Sequence, residues 1–147
     1  MIGRLVGLLR IMGIDLGEKR IGVAVSDELG WTAQGVQTIK NNGKIIEVLE
    51  EIKQLAQELG VERVVVGLPK NMNGTIGPQG EKALYFADRI SQHLGLPVET
   101  LDERLTTVAA ERILVSADMR RAKRRKVIDK MAAAIILQDY LNANSGK

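Results

Sequence analysis

The chain has 147 residues, a formal net charge of +3, 45% hydrophobic and 27% charged residues, a balance that fits one globular domain and excludes disordered and fibrous classes. With no cysteine and a single histidine, His93, it has no disulfide, no thiolate nucleophile and no zinc site built on cysteine or clustered imidazole, so any metal must be held by oxygen. A pI of about 9.3 and clustered basic residues point to an anionic partner such as nucleic acid.

Residues 1–10, "MIGRLVGLLR", read as a short N-terminal extension rather than a signal peptide, because the apolar stretch is brief and no small-residue cleavage site follows. "IMGIDLG" and "IGVAVSD" are two strands joined by a tight charged turn, and "AQGVQTI" is a third. "GKIIEVLEEIKQLAQELG" repeats Ile45, Val48, Leu49, Ile52, Leu55, Ala56 and Leu59 at helical spacing and closes on Gly60. "RVVVGLP" runs apolar after its arginine, which reads as a buried, parallel strand. "KNMNGTIGPQG" is a loop by composition, "EKALYFADRISQHLG" a second helix, and "LPVETLDERL" holds a short fifth strand. A helix over "VAAERILVSA", the basic run "RRAKRRK" and a last helix through "VIDKMAAAIILQDYL" complete the order βββαβαβαα, which predicts a mixed sheet with helices on its faces. There is no internal repeat or linker tract, so a single domain over 1–147 is expected. No run approaches the roughly 18 apolar residues of a membrane span, so the expected location is cytoplasmic, with no membrane partner.

One strand carries an oddity. Asp15 stands inside "IMGIDLG", on the face of Ile11 and Gly13, where an ionised carboxylate needs a cation or a metal ion as partner. Gly13, the small neighbour on that face, is expected to leave room for a ligand. Asp102 and Glu103 stand where the fifth strand ends, the edge at which α/β sheets gather their sites. Asp129 shares a helical stripe with Ala133, Ile136 and Tyr140, poor company for a solvated acid. Together these acids have the chemistry of a ligand set for a hard divalent cation, Mg²⁺ or Mn²⁺. A plain ion pair of Asp15 with Lys19 or Arg20 is the alternative.

The segments "IMGIDLGEKRIGVAVSD", "VVVGLPKNMNGT", "LDERLTT" and "DKMAAAIILQDYL", in that order, closely resemble the YqgF/RuvX family, described as Holliday-junction resolvases and as nucleases that mature the ends of pre-ribosomal RNA. The likeness runs from about Ile11 to Leu141. It implies a ribonuclease-H-like α/β fold: a five-stranded mixed sheet, its first three strands antiparallel, flanked by helices. It also implies a divalent-metal site on Asp15, the acidic pair and Asp129. Within the pair the ligand is open; the longer arm of Glu103 favours it, with Asp102 or Arg104 in support.

On this reading the activity is two-metal hydrolysis of phosphodiester bonds, in pre-ribosomal RNA or in branched DNA. In "RRAKRRK", Arg120, Arg121, Arg124 and Arg125 form a basic hinge placed to meet phosphates, and Lys19, Arg20, Lys70, Asn71 and Arg104 are further candidate contacts. The glycine-rich loop lacks the Lys-Ser/Thr ending of a P-loop. Two rivals remain: a non-catalytic RNA-binding assembly factor with the same fold, and a phosphate-binding domain related to actin-like ATPases. Neither the choice between RNA and DNA nor a homodimer is decided by the sequence.

Overall fold

The computed structural model describes residues 10–103 and 121–144, with side chains in the last helix from Met131 onward. The residues of the N-terminal extension up to 9 and the helix expected over 108–117 lie outside the described residues.

β1 (Arg10–Leu16) and β2 (Arg20–Ser26) form an antiparallel hairpin in which Met12 lies opposite Val25 and Asp15 opposite Gly22. The turn is tight because Gly17 donates its N–H to the carbonyl of Arg20 at 3.0 Å, and a Cβ at Gly17 would stand 2.4 Å from that oxygen. Asn41 ties the turn down from outside, donating its side-chain amide to the Gly17 carbonyl and its N–H to that of Lys19, both at 2.9 Å. β3 (Ala33–Lys40) continues the antiparallel run on the far side of β2.

α1 (Ile45–Leu59) buries Val48, Leu49, Ile52, Leu55 and Ala56, the periodic stripe expected, and each fully buried large aliphatic contributes about 1.5–3 kcal/mol. Gly60 ends the helix with φ of 68°, left-handed as such a cap requires, and its N–H reaches the carbonyls of Ala56 and Gln57. β4 (Val61–Leu68) then pairs parallel with β1, and α2 (Pro78–Leu94) starts on a proline, whose fixed φ and missing N–H suit a first helical position. The helix therefore takes in three residues expected in the preceding loop. His93 of α2 pairs with Glu50 of α1, which holds the Glu50 carboxyl below its usual range. β5 (Val98–Asp102) pairs parallel with β4, giving sheet order β3-β2-β1-β4-β5.

The sheet has two covered faces because its central strands are apolar on both. Met12, Ile14, Val64 and Val66 pack with α1 and α2. Ile11, Ala24 and Val65 point the other way, against Ala132, Ala133, Ile136, Leu137, Tyr140 and Leu141 of α3 (Arg121–Asn144). The last helix starts earlier than the sequence reading placed it: Arg121 to Lys126 form its first turns, so the basic run is helical from Arg121 rather than a hinge ahead of the helix. No described helix is long and apolar enough to cross a membrane.

Candidate active site

Strand parity decides which acids can meet. On β1, Ile11 faces α3, and Gly13 and Asp15 follow it at two-residue steps onto the same face. Gly13 abuts α3 so closely that a Cβ there would lie 2.7 Å from Cβ of Leu137 and 3.0 Å from the carbonyl oxygen of Ala133. The room expected at Gly13 for a ligand is thus taken by the helix; the missing side chain brings α3 down onto β1. Asp15, next along, is 7% exposed.

β4 repeats the pattern. Ile14 of β1 sits beside Val66, and the next step of that register brings Asp15 abreast of Gly67. A Cβ at Gly67 would stand 2.6 Å from Cδ1 of Ile136 on α3, 3.1 Å from Cδ of Glu103 and 3.3 Å from its Cγ. The carboxyl arm of Glu103 therefore lies over a bare stretch of β4, on the α3 face that Asp15 shares. Asp102 has the opposite parity. It is in register with Leu68, faces the α1/α2 side, and pairs with Lys70, Nζ to Oδ2 3.8 Å. The two adjacent acids thus divide, one toward Asp15 and one toward a lysine.

The course of α3 places the third acid by its backbone. Leu137 and Ala133 lie over Gly13 in mid-strand, while Tyr140 reaches Arg63 near the start of β4. The helix therefore runs antiparallel to β1 and β4, and its N-terminal direction leads to the strand ends that carry Asp15 and Glu103. Asp129 is four residues, about 6 Å of axis, before Ala133 in that direction. Its side chain lies outside those described, and among the described residues no group of three candidate ligands gathers.

A polar clamp fixes the far end of α3. Arg63 donates from Nη1 to the Tyr140 hydroxyl at 3.1 Å and to Oε2 of Glu99 at 3.3 Å, and the Tyr140 hydroxyl donates to Glu99. Burial pushes the Tyr140 hydroxyl above its ordinary value, and the hydrogen bond to Tyr140 raises the Arg63 guanidinium.

Of the candidate phosphate contacts, Lys19 is exposed in the β1–β2 turn. Arg20 has the parity of Gly22 and Ala24, the α3 face, and lies diagonal to Asp15, which sits opposite Gly22. Lys70 is engaged with Asp102, and Asn71 donates its side-chain amide to Oγ1 of Thr75 at 2.8 Å, inside its own loop. Arg104 and Arg120 lie outside the described residues, as do the side chains of Arg121, Arg124 and Arg125. The sequence reading did not single out Gly67. A glycine inside the uniformly apolar "VVVGLP" is the signal that could have found it, since glycine in a strand interior marks a close approach.

A five-stranded mixed sheet, antiparallel over its first three strands, with acids at the carboxyl ends of β1 and β5, is the architecture of a ribonuclease-H-like α/β protein. In keeping with this, the chain has the fold of RuvC from T. thermophilus, solved in complex with a Holliday junction substrate: TM-score 0.60, 17% identity, 95% of this chain and 97% of that one covered. The RuvX family model, described as Holliday junction resolvase, matches residues 9–143, and the chain belongs to that family. It is 55% identical over 137 residues to a protein of Desulforamulus reducens named "Putative pre-16S rRNA nuclease", covering 93% of this chain and 99% of that one. A protein of Bacillus cytotoxicus with the same name is 53% identical over 136 residues, covering 92% and 99%.

Proposed function

We propose that this chain is a nuclease that hydrolyses phosphodiester bonds of structured nucleic acid with Mg²⁺ or Mn²⁺, and that its substrate is the precursor of 16S ribosomal RNA. The observation that carries the reading is that Asp15, at the end of β1, and Glu103, just after β5, share one face of the sheet, with Gly67 of the intervening β4 left bare. The substrate follows from relatives above 50% identity that span 99% of their own length and carry the pre-16S rRNA nuclease name. Branched DNA is the second substrate reading, favoured by the family's description as Holliday junction resolvase.

The donor set fits a hard divalent ion. It is all oxygen, and the cradle at Gly67, which a Cβ would fill, admits the Glu103 carboxyl beside Asp15. Asp15 and Glu103 would hold the metal, with Asp129 as third ligand from α3. When bound, a metal pair supplies a water nucleophile at neutral pH and relieves charge on the departing 3′-oxygen. β1 carries Asp15 and β5 ends one residue before Glu103, so the sheet sets both carboxylates near their working positions before substrate arrives and little reorganisation is needed at the moment of reaction. Arg20, on the face of Asp15, and Lys19 in the neighbouring turn would meet phosphates flanking the scissile one, with Arg104, Arg120 and the basic first turns of α3, which carry Arg121, Arg124 and Arg125, extending that track. Asp102 would act through its pair with Lys70, orienting the chain just before Glu103.

Incubation of the chain with a 5′-extended 16S rRNA precursor and with a four-way DNA junction, in Mg²⁺ and in Mn²⁺, tests the proposal. Cleavage of the RNA, absent with chelator and in Asp15→Asn, is the expected result. Cleavage of the junction alone would move the substrate to DNA, and cleavage of neither, with both nucleic acids bound, would make the chain a non-catalytic binding factor.

A further inference from the structure

On the face of the sheet away from Asp15, a cleft of about 320 Å³ opens between the end of β1 and the first halves of α1 and α2. Strand parity puts it there, because Leu16 follows Asp15 on β1 and points the other way, toward the core shared with the two helices. Val48 and Phe86, both buried, form an apolar floor with Leu16 and Ile45. Tyr85 and Lys82, three residues apart on one face of α2, stand exposed at the rim. The volume is at the small end of the roughly 300–1,000 Å³ usual for ligand sites, room for one flat ring system rather than a partner chain.

The lining has the chemistry that a nucleotide requires. Tyr85 is 55% exposed, yet Arg89 one turn on steadies it, with its guanidinium 5.9 Å from the ring centroid and an Nη1 hydrogen bond of 3.2 Å to the hydroxyl. An exposed aromatic ring held in this way is a stacking surface, and it tolerates any base because every base has a π-face. Lys82 forms no ion pair among the described residues, so its ammonium is open to a phosphate. The Asn41 amide is spent on the Gly17 carbonyl, which leaves Lys82 as the polar anchor. Lys44 beside Gly43 and Lys19, whose carbonyl takes the Asn41 N–H, add positive charge near the mouth. Glu47 and Glu18, the acids of the first turn of α1 and of the β1–β2 turn, are engaged by Lys44 at 3.7 Å and Gln79 at 3.4 Å. Leu16 and Asp15 are neighbours in the chain, so only the end of β1 separates the cleft from the face of Asp15 and Glu103, and exposed Lys19 stands in the turn beyond both. A strand with its scissile phosphate at Asp15 that crosses this edge brings an adjacent base to the cleft. Bases inside a duplex are stacked on both faces, so the one that meets Tyr85 must be unpaired.

We propose that the cleft is a subsite for one unpaired nucleotide of the nucleic-acid substrate, its base against Tyr85 and its phosphate on Lys82. The inference rests on the nuclease reading, and its test separates the two. Fluorescence anisotropy with chelator present, so that no strand is cut, follows binding of an RNA stem with a short single-stranded extension and of the same stem made blunt. Cleavage of the extended stem in Mn²⁺ is measured in parallel. Tyr85→Ala should bind the extended stem about tenfold more weakly than the parent, a change of about 1.4 kcal/mol, and the blunt stem equally well. Tyr85→Phe, which keeps the ring, should restore the affinity. Lys82→Gln should also weaken binding of the extended stem and make the slope of log affinity against log salt shallower by about 0.7, the value for one single-strand phosphate. Parent-like affinity of Tyr85→Ala for the extended stem would overturn the subsite, and cleavage by the parent would show that the nuclease reading stands without it. An equal loss on both stems would make Tyr85 a duplex contact and overturn the unpaired nucleotide. Adenosine or uridine monophosphate bound as tightly as the extended stem would make the cleft a small-molecule site and overturn its assignment to the strand. Failure of the parent to bind either stem would overturn both readings.

Discussion

Substituting Gly67 by alanine perturbs the carboxylate of Glu103 without touching its charge. The added methyl would sit 2.6 Å from Cδ1 of Ile136 and 3.1 Å from Cδ of Glu103. Carbon atoms at rest are about 3.5–4.0 Å apart, so Ile136 must yield by about 1 Å and Glu103 by about 0.5 Å. The Ile136 atom is the end of a flexible side chain and can rotate, which keeps the cost near the low end of the 1–3 kcal/mol typical of overpacking, about 1 kcal/mol. For a chain of this size that lowers the melting temperature by about 2–4 °C. Activity should fall much further, because displacing a reacting group by about 1 Å can cost about 100-fold. Half of that displacement here predicts a loss of about tenfold in kcat at saturating metal, with KM for nucleic acid unchanged. Steady-state cleavage measured over a range of Mn²⁺ concentrations, beside a thermal melt, reads both quantities. Full activity in Gly67→Ala with the small expected drop in melting temperature would refute the placement of Glu103 in the site.

Four more outcomes follow from the same geometry. Glu103→Gln should reduce cleavage at least tenfold more than Asp102→Asn, which weakens a pair with Lys70 on the face away from Asp15; steady-state kinetics of the two variants decide it, and the reverse order would exchange their roles. Gly13→Ala should cost more stability than Gly67→Ala, about 2–3 kcal/mol in denaturant melts, because its methyl would strike Cβ of Leu137 and the Ala133 carbonyl, which cannot rotate away. Burial raises the Tyr140 hydroxyl, so its contribution to stability is intact below its ordinary value of about 10 and is lost as pH climbs through the raised value. The unfolding free energy of the parent should therefore fall more steeply with pH above about 10 than that of Tyr140→Phe. Neutralising Arg120, Arg121, Arg124 and Arg125 together should make the slope of log affinity against log salt shallower by about 0.9 for each duplex phosphate that the variant no longer neutralises, and an unchanged slope would place the phosphate track around Lys19 and Arg20 instead.

Much of this arrangement is legible in the residues. The stripe from Ile45 to Leu59, the closing Gly60 and the apolar "VVVGLP" identify α1 and β4 because periodicity and burial are local properties of a segment. The oddity of Asp15 in a buried strand is local too, and it draws attention to the carboxyl end of β1. The separation of Asp102 from Glu103 was not legible, since it depends on which way the fifth strand is turned against β4, a long-range pairing. Gly13 misled for the same reason: a missing side chain reads as space for a ligand until α3 is seen to occupy it. The basic run looked like a hinge because repelling like charges weaken a helix locally, yet from Arg121 it continues the helix that the apolar stripe from Ala132 to Leu141 holds against the sheet. Asn71 is a candidate phosphate contact by composition, and the hydrogen bond of its side-chain amide to Thr75 within its own loop is a feature of the turn that composition does not show.

The central claim is that Asp15 and Glu103 share a divalent cation, and calorimetric titration of the chain with Mn²⁺, in the absence of nucleic acid, tests it most directly. The account predicts saturable binding by the parent that weakens at least tenfold, about 1.4 kcal/mol, in Asp15→Asn and again in Glu103→Gln, with the melting temperature of metal-free Asp15→Asn preserved or raised by relief of carboxylate repulsion. Undiminished Mn²⁺ binding by Asp15→Asn, together with a lowered melting temperature, would contradict it and make Asp15 the ion-pair partner of a neighbouring cation such as Arg20.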